Sequence, residues 1–261
     1  MMNMKTYKGI DVSYAQQFVD WDKAKDEIDF AILRVTWGQN VDSRFEYNQR
    51  KCEQLNIPYG VYCFSYATSN ADAVKEAETV LKYIKNHKLG YPVYFDFEYD
   101  SIKYFNKINK KDPDPSTLCH YTRLFCDKIK ENGYYSGIYT NLDFIKRYYG
   151  EEIFKTYDLW YAYWADSHKR EVKLWQNGKT KISGIRDAVD SDVSYYDYPA
   201  YFQTAGINGY TKSGKKSNTE IAKEVIRGEW GNGEIRKAKL TAAGYDYNEV
   251  QMLVNKMIYG R

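Results

Sequence analysis

The segment Tyr94-Phe95-Asp96-Phe97-Glu98-Tyr99-Asp100 places two carboxylates two positions apart inside an aromatic run. Side chains alternate along a β-strand, so Asp96 and Glu98 fall on one face and Phe95 and Phe97 on the other. Their α-carbons would then lie about 6–7 Å apart at ~3.3 Å rise per residue. Carboxylates held that close repel, so one of them keeps its proton to higher pH and becomes a donor near neutrality. An acid for a leaving oxygen beside a second carboxylate for a developing cation is what glycoside hydrolysis requires. The plain alternative is a solvated Asp-x-Glu at a strand end, and two further strand ends argue against it. Gly9-Ile10-Asp11-Val12-Ser13 closes a first strand on Asp11, and Ala188-Val189-Asp190-Ser191-Asp192 closes a last one on Asp190 and Asp192. Scattered buried charges would be costly, so three strand ends presenting carboxylates predict one acidic pocket.

The elements that must hold such a pocket follow from periodicity. Strand-like runs fall at 9–12, 30–36, 59–65, 92–97, 136–139, 159–163, 172–175 and 188–190, with helical patterns between several of them, notably 70–88 and 115–132. Ser69 and Asn70 are plausible caps for the first of these helices, and its last turn is rich in Lys and His, which suits the helix dipole. Roughly eight strands alternating with helices in about 200 residues predict an α/β fold, an irregular (β/α) TIM-like barrel. Inward residues at strand C-terminal ends then face the active-site mouth. Composition changes after this region. The stretch 204–218, TAGINGYTKSGKKSN, lacks an apolar period and reads as a linker. Beyond it, Ile221, Val225 and Ile226, then Ile235, Ala238 and Leu240, then Val250, Leu253, Val254 and Met257 mark three short helices, a small three-helix bundle around Trp230. The expected organisation is therefore a barrel over 1–202, a linker over 203–218 and a bundle over 219–261.

Composition excludes several classes. A net charge of +3 over 261 residues gives no electrostatic case for nucleic acid, and no apolar run approaches a membrane span. The N-terminus lacks an apolar core of the secretory type, so no signal peptide is expected. Cys52, Cys63, Cys119 and Cys126 form no close CxxC pair and read as reduced thiols. His87, His120 and His168 are scattered without ligand spacing, so neither a metal nor another cofactor is expected. That pattern also argues against a zinc amidase or a Cys/His endopeptidase. The 28 Tyr and 6 Trp suit a sugar-binding cleft, although a general tyrosine bias would spread them over the surface.

Over residues 7–200 the chain resembles the lysozymes of glycoside hydrolase family 25. The resemblance is carried by GIDVSYAQ at 9–16, YGVYCFSYA at 59–67, PVYFDFE at 92–98, GIYTN at 137–141, LWYAYW at 159–164, LWQ at 174–176 and AVDSD at 188–192. It implies an irregular barrel that cleaves the β-1,4 bond between N-acetylmuramic acid and N-acetylglucosamine. It further implies that Glu98 is the general acid/base, Asp96 its partner carboxylate, and Asp11 and Asp190 the outer acids. The family pattern has Asp-x-Asn at the last site. Spacing from Gly184 favours Asp190 there, and Asp192 stands as an additional candidate at the substrate. Tyr62, Tyr139, Trp160 and Trp175 resemble cleft residues that touch sugar, with aromatic barrel core as the alternative for each.

Residues 221–258 resemble the Cpl-seven-type cell-wall-binding repeat of phage lysozymes, through GEWGNG and AGYDYNEVQ. This implies peptidoglycan as the partner, with the glycan strand in the barrel cleft and a muropeptide on the bundle. Arg236, Tyr245 and Asp246 are the candidate wall contacts, against a plain role in turns and helix-surface charge. Such repeats commonly occur in tandem, so a homodimer would restore a second copy. A non-catalytic glycan-binding protein on a decayed barrel is the competing class, which the intact Asp96 and Glu98 disfavour. Without a signal peptide, the resemblance suggests a phage endolysin made in the host bacterial cytoplasm and released to the wall at lysis.

Overall fold

The structure, a computed structural model, describes residues 5–211 and 216–259. The chain divides into two compact units between Thr211 and Lys212. In the first, strands β1 (Tyr7–Val12), β2 (Phe30–Trp37), β3 (Asn40–Val41), β4 (Tyr59–Phe64), β5 (Val93–Asp96), β6 (Ser136–Asn141), β7 (Asp158–Ala162), β8 (Leu174–Thr180) and β9 (Val189–Ser194) form one sheet. The order β1-β9-β8-β7-β6-β5-β4-β2 closes through a β1–β2 pairing into an eight-stranded barrel, and β3 hangs from the end of β2. From β1 through β2, β4, β5, β6 and β7 to β8 the pairings are parallel, whereas β9 runs antiparallel to both its neighbours. The last strand therefore offers its N-terminal end to the mouth, not the C-terminal end expected from a regular barrel.

Alternation along the strands separates two packed layers. Outward-facing Val93, Phe95, Val61, Cys63, Ala31, Leu33 and Ile138 join the cluster under the helices. The helix Asn70–Ile84 adds Ala73, Ala77, Val80 and Ile84, and Pro115–Glu131 adds Leu118, Phe125, Cys126 and Ile129. Ser69 caps the first by accepting from Asp72 N, and Asp114 caps the second ahead of Pro115, the position where a missing N–H costs nothing. Inward-facing Phe30, Ile32, Tyr62, Tyr94, Trp160 and Leu174 fill the barrel, so it is a packed core with no pore. Two inward glycines make room for these rings. A Cβ on Gly9 would meet the Phe30 ring at 2.3 Å, and one on Gly137 would meet the Tyr94 ring at 2.6 Å. Tyr198 and Phe202, from the helix Tyr198–Ala205, join the same inner cluster, and the Tyr198 hydroxyl donates to Asp158 (2.8 Å).

The helices Phe45–Gln54 and Tyr99–Asn109 are among those that escape the sequence periodicity. Phe45–Gln54 buries the amides Asn48 and Gln49 on its inner face. There Asn48 accepts from the Trp21 indole (3.0 Å) and Gln49 donates to Tyr59 (3.1 Å), so the buried stripe does not read as apolar. Tyr99–Asn109 buries only Ser101 and Phe105.

The compositional linker is shorter than its polarity suggests. Residues up to Thr211 belong to the barrel unit. Asn208, fully buried, donates to Leu89 O and Tyr91 O and accepts from Tyr135 N. Its side chain replaces backbone partners, which an apolar count cannot register. At the other end Ser217 and Glu220 form a capping box for the helix Asn218–Ile226. What remains of the segment, 212–215, lies outside the described residues.

Among its described residues the second unit has three helices, Asn218–Ile226, Gly233–Ala242 and Tyr247–Tyr259, around Ile221, Ala222, Val225, Leu240, Val250 and Val254. Trp230 packs against this core as expected, and its indole donates to Glu224 (2.9 Å). Ile226, Ile235, Ala238 and Met257, expected inside, are exposed. Among the described residues no helix is long and apolar enough to cross a membrane.

Candidate active site

β5 ends on Asp96, whose inward side chain is 3% exposed. Phe97 turns outward into the helix layer, and Glu98 becomes the N-cap of the helix Tyr99–Asn109, its backbone N–H donating to Ser101 Oγ (3.0 Å). The two carboxyls therefore do not sit on one continuous strand. The turn nevertheless brings them into direct hydrogen-bonding contact. Burial, reinforced by the negative charges of Glu98 and Asp11, pushes Asp96 well above the usual carboxylate range against the opposing Arg34. Burial also raises Glu98, while the hydrogen bond from Asp96 opposes that rise. The pair thus shares a proton that sits on Asp96, and Glu98 is the more solvent-accessible member.

Asp11 projects inward from β1 and accepts from Gln176 Nε2 (2.9 Å). Burial and the neighbouring Asp190 raise it to about 7. Asp190 faces Asp11 directly across the β1–β9 ladder and stays partly exposed at the rim, with Lys179 Nζ 3.8 Å away. Asp192 is two positions deeper, 1% exposed, accepting from the Trp160 indole (2.7 Å). The reversed β9 explains the difference: moving along it from Asp190 to Asp192 goes down into the barrel. Asp192 is consequently enclosed, not at the substrate surface.

The aromatic candidates separate in the same way. Tyr139 stands beside the acids with its hydroxyl donating to Gln176 Oε1 (2.9 Å), and its ring meets Trp160 edge-on at 4.6 Å. Tyr62 meets Trp160 at 5.8 Å. Trp160 itself is 1% exposed and forms the floor beneath both phenols, with no face for a sugar. Trp175 points the opposite way. It packs outside the barrel with Ile145, Leu159, Tyr161 and Val172, its indole donating to Tyr163 O (2.7 Å). Strand alternation dictates this, because Leu174 and Gln176 on either side of it face inward. Gln176 is therefore the site residue of that segment, joining Asp11, Tyr139 and the exposed Trp164 (3.2 Å).

A groove adjoins the acids. One cavity of about 700 Å³ is lined by Tyr14, Arg34, Trp37, Phe64, Tyr66 and Asp100. It shares Trp37, Asn40 and Tyr66 with a second of about 430 Å³ that reaches Asp72 and Tyr104. Arg34 is anchored by Asp42 (2.7 Å) and lies over the Tyr14 ring at 4.8 Å. Trp37, Tyr66 and Tyr104 went unnoticed in the sequence because three aromatics from separate elements, the end of β2, the loop after β4 and the helix Tyr99–Asn109, share no spacing. Among the described residues no group of three or more His, Cys, Asp or Glu is arranged to hold a metal ion.

In the helical unit the candidate residues are occupied within the fold. Arg236 donates to Gly231 O (3.0 Å), Asn232 Oδ1 (2.9 Å) and Gln251 Oε1 (3.1 Å). Tyr245 meets Trp230 edge-on at 6.0 Å, and Asp246 accepts from Glu249 N (2.9 Å) at the start of the last helix.

An eight-stranded barrel whose mouth holds a proton-sharing carboxyl pair beside an aromatic groove defines an enzyme of the glycoside hydrolase class. The chain belongs to the glycosyl hydrolases family 25, whose model matches residues 10–184. The CW_7 repeat model matches residues 219–258. The chain is similar to the lysozyme of Streptococcus phage Cp-7, 52% identical over 42 residues, 16% of this chain and 12% of that protein. Its fold is similar to the modular autolysin LytC of Streptococcus pneumoniae, solved with a synthetic peptidoglycan ligand. That match has a TM-score of 0.64 and 27% identity, and covers 72% of this chain and 46% of that one. The catalytic domain of endolysin ply40 from bacteriophage P40 of Listeria monocytogenes shares the fold at a TM-score of 0.63 and 20% identity, over 76% of this chain and 98% of that one. The chain spans less than half the length of the phage lysozyme and of the autolysin it matches.

Proposed function

We propose that this chain is a muramidase that cleaves the β-1,4 bond between N-acetylmuramic acid and N-acetylglucosamine in bacterial peptidoglycan. The observation that carries this reading is the direct Asp96–Glu98 carboxyl contact at the mouth of a family 25 barrel. Glu98, raised and reachable, passes the pair's shared proton on to the glycosidic oxygen. Asp96, left ionised by that transfer, stabilises the charge that develops at the sugar, while Asp11 and Asp190 hold the proton on the pair beforehand. Ordinary retaining enzymes separate their carboxyls by about 5–5.5 Å and inverting ones by more, so that a sugar carbon or a water fits between them. A contact pair has no such gap, which favours attack by the substrate's own acetamido oxygen with Asp96 orienting it. The aromatic groove through Trp37, Tyr66 and Tyr104 suits the continuing glycan strand.

The C-terminal repeat would hold the enzyme on the wall through a muropeptide, and dimerisation would give two such contacts, a state that light scattering reads directly. The phage lysozyme and endolysin relatives favour an endolysin made in the bacterial cytoplasm and released at lysis. Glu98→Gln preserves shape and removes the acid. It should cut turnover of purified walls by about 10²–10⁴-fold with wall binding intact. Retention of substantial turnover by this variant contradicts the assignment.

A further inference from the structure

Asp11, Asp96, Glu98 and Asp190 all face the barrel mouth, whereas Asp192 lies beneath them. In the ladders it stands opposite Gly9 on β1 and Gln176 on β8, which puts it diagonally below Asp11. Its Oδ1 takes the Trp160 indole proton (2.7 Å). Its Oδ2 is fully buried and meets no N–H or O–H donor among the described residues, while the Asp11 and Asp192 carboxyls are in hydrogen-bonding contact with each other. Two ionised carboxylates cannot share such a contact in an enclosed site, so one proton lies between them. Asp11 already has a donor in Gln176 and sits nearer the mouth, whereas Asp192 has only the indole. The proton therefore belongs to Asp192.

We propose that Asp192 is a protonated positioning residue whose carboxyl O–H donates to Asp11 and holds Asp11 ionised beside the Asp96–Glu98 pair. This rests on the muramidase reading for its consequence, though not for the proton itself. The same contact lowers Asp11 and raises Asp192, as a donor–acceptor pair requires. The ionised Asp11 in turn helps keep the proton on Asp96. The other titratable groups facing this centre do not neutralise it. Asp190 adds negative charge from the same strand, and Lys179 meets Asp190 only at the rim, half exposed. Tyr62 and Tyr139 are kept neutral by burial, and Arg34 is spent on Asp42.

Asp192→Asn replaces the carboxyl O–H by an amide N–H that can still donate to Asp11, and Asp192→Ala removes the donor. Electrophoretic mobility of the native full-length protein at mildly alkaline pH, above the value of about 7 at which Asp11 ionises, reads the proton directly. Asp192→Asn should migrate with the parent, while Glu131→Gln, an exposed control, should shift by one charge. A one-charge shift for Asp192→Asn means that the group is ionised and overturns the proposal. Wall hydrolysis reads the consequence. Asp192→Asn should keep kcat within about threefold, whereas Asp192→Ala should lower it about ten- to a hundredfold, the worth of one hydrogen bond to a charged group. The alkaline limb of the kcat profile should also move to lower pH in Asp192→Ala, because Asp11 no longer supports the pair. An unmoved limb with only lowered stability reduces Asp192 to packing and overturns the positioning role. Failure of the muramidase reading would instead appear as the wrong product from every variant, with the mobility result intact.

Discussion

Replacing Glu76 by Gln tests the electrostatics of the wall behind the groove. Glu76 lies on the helix Asn70–Ile84, 1% exposed, and accepts from Ser65 Oγ (2.6 Å) and Tyr66 N (2.9 Å), holding the loop that carries Tyr66. Burial raises its carboxyl from 4.5 to about 7 despite those donors. Below pH 4.5 folded and unfolded chains both hold the proton. Between 4.5 and about 7 only the folded chain holds it, so stability falls as pH rises through that window. At ~1.4 kcal/mol per pH unit, the loss from this group amounts to about 3 kcal/mol. Gln cannot titrate, keeps the acceptor for Tyr66 N and offers a donor to Ser65 Oγ. Urea unfolding of both proteins followed by circular dichroism at several pH values from mildly acidic to mildly alkaline gives the difference. Glu76→Gln should gain about 3 kcal/mol on the parent across the window and then level off. A difference that stays constant, or a parent that gains on the variant as pH rises, refutes the reasoning.

Adjacent residues on β8 should behave as opposites. Trp175→Ala empties an outer packing site and should cost about 3–5 kcal/mol of stability, with kcat of the folded protein unchanged. Gln176→Ala should instead lower kcat about ten- to a hundredfold with a smaller stability loss, since Asp11 loses its donor and Tyr139 its acceptor. Thermal melts and wall-hydrolysis kinetics on the two variants check both. In the repeat, Arg236→Ala should lower the melting temperature and weaken wall binding together, and Arg236→Lys should not rescue it, because one ammonium cannot span Gly231, Asn232 and Gln251. Weakened pull-down on walls with an unchanged melt would return Arg236 to the role of a direct wall contact.

The barrel strands and the two long helices could be read from the chain because strand-like apolar runs, helical periodicity and the cap at Ser69 are local signals. The acids at 11, 96 and 98 were readable for the same reason, as each lies at or just past the end of an apolar strand, whereas Asp190 stands near the start of the reversed β9. What escaped depends on direction and partnership. The reversal of β9 reflects a connection that no single strand encodes, so the depth of Asp192 could not be read from AVDSD. Trp175 and Gln176 look equally suitable in LWQ, and only the orientation of β8 decides between them. The helix Phe45–Gln54 and the segment around Asn208 are held by buried amides, which polarity scores as surface.

The function rests on which bond of the wall is cut. Digestion of purified peptidoglycan with the full-length chain, borohydride reduction of the new ends and mass spectrometry of the soluble fragments reads that bond directly. Muramidase cleavage leaves reduced muramic acid at the new ends, absent with Glu98→Gln. Reduced glucosamine ends, or freed peptides with the glycan intact, would contradict it.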